Sequence, residues 1–151
     1  MYDSFLIQEG TFQNDYVDGK CVGFKFGVKV ADYRGAFVSL VNGYYVEVDG
    51  VEYPLDVQTF EVNGKAPRTY EELKTAVWEH WDCTDLAYVH CAKEGGLEKG
   101  MHHIGLQQSL LSHYGYAEHD EEWVTNPPIP GHGEGAGKFT KTCFFDMEIT
   151  N

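Results

Sequence analysis

The chain has 151 residues, 42% of them hydrophobic and 15% aromatic, with a formal net charge of −13. That is enough apolar material for one folded domain with a real core, taken as residues 1–151, and too much for a disordered chain. Eleven Lys and Arg against 24 Asp and Glu argue against nucleic acid or an anionic membrane surface as a partner, since both are bound through cations.

The opening "MYDSFLIQEG" has no basic segment and too short an apolar run for a signal peptide. No stretch approaches the roughly 20 apolar residues of a membrane span. The expectation is a cytoplasmic protein.

In "CVGFKFGVKV", Val22, Phe24, Phe26, Val28 and Val30 fall on one side, with Lys25 and Lys29 on the other. A period of two predicts a strand with one buried face. "ADYRGAF" then breaks the pattern at Tyr33, Arg34 and Gly35, and strand-like sequence resumes over Val38 to Val41. Asp18-Gly19, Asn42-Gly43, Asp49-Gly50 and Asn63-Gly64 punctuate the neighbouring runs as hairpin turns, which predicts a meander of short antiparallel strands.

"TYEELKTAVWEHW" predicts a helix. Thr69 and Glu72 form a capping box, and Leu73, Ala76, Val77 and His80 fall at helical spacing. Strands return in "LAYVHCA" and, after a glycine-rich turn, in a long run through Ile104, Leu106 and Leu110. A last strand puts Phe139, Cys143, Phe145, Met147 and Ile149 on one face. The sum is an all-β, mainly antiparallel fold, a β-sandwich or jelly-roll-like domain with one short helix.

Residues 112–138 show neither period, and a structureless segment of that length inside a compact domain has a job or is disordered. Pro127, Pro128 and Pro130 stiffen its middle, and four glycines from Gly131 to Gly137 form a hinge-like return limb. Tyr114, Tyr116 and Trp123 offer flat faces, and His119 and His132 offer groups that titrate near neutrality. The acidic "EHDEE" reads best as solvated, because nothing nearby would raise its carboxyl pKa values.

Cys21, Cys83, Cys91 and Cys143 show no C-x-x-C or zinc-ribbon spacing and read as reduced apolar fillers. His102 and His103 are adjacent, so strand alternation turns them to opposite faces and they cannot chelate together. His113, His119 and His132 are irregularly spaced. No metal is expected in this chain. The sequence contains no nucleophile elbow, P-loop or dinucleotide fingerprint. Tyr33 and Arg34 suit either an exposed charge or an interface anchor, where Tyr and Arg are enriched.

Several segments, in order, resemble the small β subunit of bacterial C-glycoside deglycosidases. They are Phe26 to Val30 leading into Tyr33-Arg34-Gly35, the apolar run to Val41, "VEVDG" at Val46 to Gly50, the helix opening at Thr69, Trp78-Glu79, and "GGLEKGMH" at Gly95 to His102. Ala31-Asp32 departs from the proline-containing pair found there in the family, and the 112–138 segment is longer. The resemblance implies no catalytic residue in this chain and a larger TIM-barrel α subunit as partner in a hetero-oligomer. That partner would hold a divalent metal, manganese by expectation, and the complex would cleave the sugar–aryl carbon–carbon bond of a 3-oxo-C-glucoside of flavonoid type. Tyr33, Arg34 and Gly35 would then lie at the subunit contact, and Tyr114, Tyr116, His119, Trp123 and His132 beside the substrate. From residues alone two other readings stay open: a free-standing β-sandwich that binds sugars or polyphenols, and a single-chain metalloenzyme using the loop histidines.

Overall fold

The structure is a computed structural model, and it describes residues 6–30, 35–110 and 142–151. Ten strands make up most of it, paired antiparallel throughout the described residues. The first sheet runs β1 (Gln13–Val17), β2 (Lys20–Val28), β8 (Ala87–Ala92), β6 (Gln58–Glu61). The second runs β10 (Cys143–Ile149), β9 (Gly100–Leu110), β4 (Val41–Val48), β5 (Val51–Glu52). A two-stranded ribbon, β3 (Ala36–Phe37) with β7 (His80–Trp81), sits apart from both sheets. The all-β reading of the sequence holds. No helix among the described residues is long and apolar enough to cross a membrane.

The two sheets share one core because the alternation in their strands is strict where it matters. Phe24, Phe26 and Val28 of β2 are buried, as are Val89 and Cys91 of β8. They face Tyr44, Val46 and Val48 of β4 and Ile104 and Leu106 of β9. Tyr44 and Phe60 stack across the interlayer space with centroids 6.1 Å apart, and Trp81 meets Phe60 edge-on at 5.3 Å. Each such side chain contributes roughly 1.5–3 kcal/mol by leaving water. Val22, at the start of the same apolar stripe, is exposed. In β10, Cys143, Met147 and Ile149 are buried while Phe144, Asp146 and Glu148 point out; Phe139 lies outside the described residues.

Amide side chains join the layers where apolar contact alone leaves register loose. Gln58 Nε2 donates to the carbonyls of Tyr44 and Tyr53 at 2.9 and 2.7 Å, and its Oε1 accepts from Tyr70 Oη at 2.7 Å. Gln108 Nε2 donates to Tyr44 Oη and to the carbonyl of Lys29. Burial pushes the Tyr44 and Tyr70 phenols well up, so both stay neutral, Tyr70 donating to Gln58 and Tyr44 accepting from Gln108. At the edge of the first sheet, Asn14 mimics a strand partner. Its side chain exchanges two hydrogen bonds with the backbone of Leu97, while its own backbone exchanges two with the side chain of Asn151.

Three sequence expectations need correction. Asn42-Gly43 is no turn. It lies inside β4, where the register to β9 shifts between Val41 and Gly43. Gly43 takes φ +130°, and a Cβ there would sit 2.5 Å from Leu55 Cδ2, so the dipeptide serves a bulge. Val38–Leu40 is a 3-10 turn, with β4 starting only at Val41. The helix is a single turn, α1 (Tyr70–Leu73). Its capping box forms as expected, but the chain then turns twice and enters β7. Strand and ion-pair contacts claim Glu79 and His80, and these override a stretch whose Thr75, Val77 and Trp78 are only moderate helix formers.

Gln58 satisfies three buried partners at once. Gln58→Leu would strand the Tyr70 hydroxyl and two carbonyls, and should cost about 3 kcal/mol in urea unfolding, with the midpoint shifted and the slope unchanged.

Candidate subunit-contact site

Gly35 opens the β3–β7 ribbon. It takes φ +75°, and a Cβ built on it would stand 2.3 Å from the carbonyl oxygen of Trp81 and 2.7 Å from His80 Cε1. The corner therefore requires glycine for both conformation and space. Tyr33 and Arg34, just before it, lie outside the described residues. Ala36 pairs with Trp81 and Phe37 with His80, and the amide of Val38 donates to the carbonyl of Glu79 at 2.8 Å. Trp81 turns inward and is fully buried. Phe37 turns outward, 44% exposed, with its ring edge-on to His80 at 5.3 Å. His80 Nδ1 in turn lies 2.6 Å from Asp82 Oδ1.

The segment ahead of β7 is a tight turn in which the Glu79 amide donates to the carbonyl of Ala76. Val77 and Trp78 occupy its two corner positions and are 52% and 90% exposed. The turn does not swing freely, because Glu79 is gripped from below. Arg68 Nη1 and Nη2 donate to its two carboxylate oxygens at 3.1 and 2.8 Å. Lys65 Nζ reaches Oε1 at 2.7 Å and Asn63 Nδ2 reaches Oε2 at 3.0 Å. Asn63 also bonds the carbonyl of His80. The end-on grip leaves Arg68 Nε buried without a hydrogen-bond partner. The Arg68 bonds, helped by Lys65 and Asn63 against the cost of burial, hold the Glu79 carboxyl at about 2.

The histidines are engaged structurally. His102 Nδ1 lies 2.5 Å from Asp49 Oδ2, which can only accept, and its Nε2 lies 2.7 Å from the accepting carbonyl of Glu98. His103, on the opposite face, meets Asp146 and stacks on Phe144. Burial works against a charge on His102, but the Glu98 carbonyl and the Asp49 carboxylate outweigh it and its pKa lies above the ordinary value. His90 bridges Asp15 Oδ2 and Glu61 Oε1 at 2.8 and 2.7 Å, so both of its nitrogens are taken. Among the described residues no three His, Cys, Asp or Glu side chains gather as a metal site. Tyr114, Tyr116, His119, Trp123 and His132 lie outside the described residues. Cys21, Cys83 and Cys91 are free thiols.

Sequence reasoning placed Gly35 at the contact but not Phe37, Val77 or Trp78, although Trp78-Glu79 figured in the family resemblance. It assigned Val77 to the buried stripe of a helix that does not extend that far. The available signal was Trp78 itself, which falls off that apolar stripe in any helical register.

The described strands thus form an all-β frame that carries an exposed aromatic turn beside a glycine corner. Comparisons with known proteins give the family. A family model described as C-glycoside deglycosidase beta subunit matches residues 2–114, three quarters of the chain. The C-glycoside deglycosidase beta subunit of Eubacterium cellulosolvens (strain ATCC 43171 / JCM 9499 / 6) is 33% identical over 110 residues, 72% of this chain and 74% of that protein. The chain belongs to the C-glycoside deglycosidase beta subunit family. The matched region holds the whole Gly35–Trp81 site and stops before most of the 112–138 segment and before β10.

Two variants test the site's construction. Gly35→Ala should lose about 2 kcal/mol or more of stability, since the left-handed conformation and the Trp81 carbonyl both resist a side chain. Glu79 is ionised below its unfolded value of 4.5, so its contribution is complete above that pH and fades as pH falls towards about 2. Glu79→Gln should therefore be about 2 kcal/mol less stable than wild type at pH 7, with the gap closing across that acid window in pH-resolved thermal unfolding.

Proposed function

We propose that this chain is the accessory subunit of a heteromeric C-glycoside deglycosidase and that its Gly35–Trp81 edge seats the larger subunit. The observation that carries this is the exposed Phe37–Trp78 edge on a locked base, in a chain whose family is named for a subunit. Tyr33 and Arg34 adjoin that edge in sequence, and Arg34 would offer forked donors to a carboxylate or carbonyls of the partner. The reaction is cleavage of the bond between the anomeric carbon and an aryl carbon of a 3-oxo-C-glucoside, flavonoid aglycones being the favoured class. A base removes the acidified C2 proton and the aryl carbon departs by elimination, which makes the complex a carbon–carbon lyase. A TIM-barrel partner would hold the divalent metal, manganese in this reading, whose role is to stabilise enolate charge. The free thiols of Cys21, Cys83 and Cys91 fit a reducing cytoplasm. In this reading the 112–138 segment reaches the partner's active-site mouth, where Tyr114, Tyr116 and Trp123 lie against the aglycone and His119 or His132 meets a phenol oxygen.

The reading predicts that this chain alone does not turn over a 3-oxo-C-glucoside and retains no metal after dialysis, and that adding the larger subunit produces an active, metal-containing complex. Full turnover by the isolated chain, or a stoichiometric ion lost in His113, His119 or His132 variants, would instead make it a single-chain metalloenzyme. Replacing Glu118 to Gly135 by a short Gly-Ser bridge should preserve assembly and raise the Michaelis constant. Unchanged kinetics would remove the segment from the substrate's surroundings.

A further inference from the structure

Trp78 is 90% exposed, more than any other large hydrophobic side chain among the described residues that stand out in solvent. An indole left in water at a turn tip is a standing driving force for association. Its setting separates it from a casual surface aromatic. The next residue, Glu79, carries four hydrogen bonds from Arg68, Lys65 and Asn63, and its carbonyl closes onto the amide of Val38. The backbone beside the tip is therefore held in place, so little main-chain order has to be gained when it docks. Phe37 stands at the same end of the β3–β7 ribbon, because its neighbour Val38 bonds Glu79 and Phe37 itself pairs with His80. Val77 completes the apolar tip.

Charge says what must meet it. The cations at the base, Lys65 and Arg68, are spent on Glu79. The outward-facing charges nearby are mainly acidic: Glu71 with its side chain 83% exposed, Asp82 with 65%, and exposed Glu72, against one exposed cation, Lys74, which is paired with Glu71, on a chain of net −13. A complementary surface is an indole-sized apolar pocket with a basic rim. We infer that Trp78 is the anchor residue of the subunit contact and that it inserts into such a pocket on the larger subunit. This rests on the reading of the chain as a subunit and adds the residue that carries the affinity and the character of its receptor. Aromatic anchors ringed by polar contacts dominate such interfaces.

The experiment titrates the larger subunit of the same enzyme with wild type, Trp78→Ala, Trp78→Phe and, as a control on a distant exposed strand, Val51→Ala, reading affinity by calorimetry. Thermal unfolding of each variant alone checks the fold. Trp78→Ala should weaken binding about 30-fold or more with its melting temperature unchanged, Trp78→Phe should fall between, and Val51→Ala should match wild type. Wild-type affinity should also drop as salt rises, as an acidic-to-basic rim requires. In a Trp123→Phe background, iodide quenching of the exposed tryptophan should disappear on assembly. If Trp78→Ala binds as tightly as wild type, the anchor lies elsewhere while the subunit reading stands. If wild type itself does not bind the larger subunit, the subunit reading fails and takes the anchor with it.

Discussion

The two parallel hydrogen bonds from Arg68 to Glu79 hold the exposed edge of this molecule in place. They tie the loop after β6 to the strand entering β7, and through the Glu79 carbonyl they set the pairing of β3. The pair is mostly shielded, with side chains 20% and 12% exposed, so its attraction is less screened than that of a surface ion pair. Removing one partner would leave the other charge half-buried, a costlier state than losing both. Trp81 can be fully buried against Phe60, and Trp78 fully displayed three residues earlier, only because the backbone between them is pinned here.

The rest of the sandwich supplies a stiff frame. Its core is aromatic-rich, and Gln58, Gln108 and Asn14 satisfy buried backbone groups that strands alone would leave open. Such fully partnered polar groups specify one register at little net cost. The frame holds the β3–β7 ribbon at its edge, outside both main sheets, so a partner can engage it without disturbing a ladder. In the proposed reading this separation is useful, since the sheets would carry stability and the ribbon the contact.

Much of this was legible in the sequence, for a physical reason. Strands β2, β8 and β10 bury one face, and a period of two records that burial directly in residue type. Asp18-Gly19 and Asp49-Gly50 are turns because both residues of each pair adopt positive φ, which few other pairs tolerate. Thr69 caps α1 through local bonds, so its signature survives as well. What failed was set by distant partners. Asn42-Gly43 has turn chemistry, but Leu55 and Tyr70 press on Gly43 and a bulge results. The helix ends early because Arg68, Lys65 and Asn63 draw Glu79 away. The contact site shares this fate. Gly35 was visible as an interruption, whereas the exposure of Phe37 follows from its pairing with His80, and Trp78, though off the apolar stripe, lay within a helix reading that the structure ends at Leu73.

The central claim is that this edge is the surface the larger subunit covers. Hydrogen exchange of the chain, alone and in the assembled complex, tests it without altering a residue. The account predicts that peptides spanning residues 35–38 and 76–82 gain protection on assembly while the β1 edge and the β4–β5 hairpin exchange as before. Protection confined to other faces, with residues 76–82 unchanged, would contradict it.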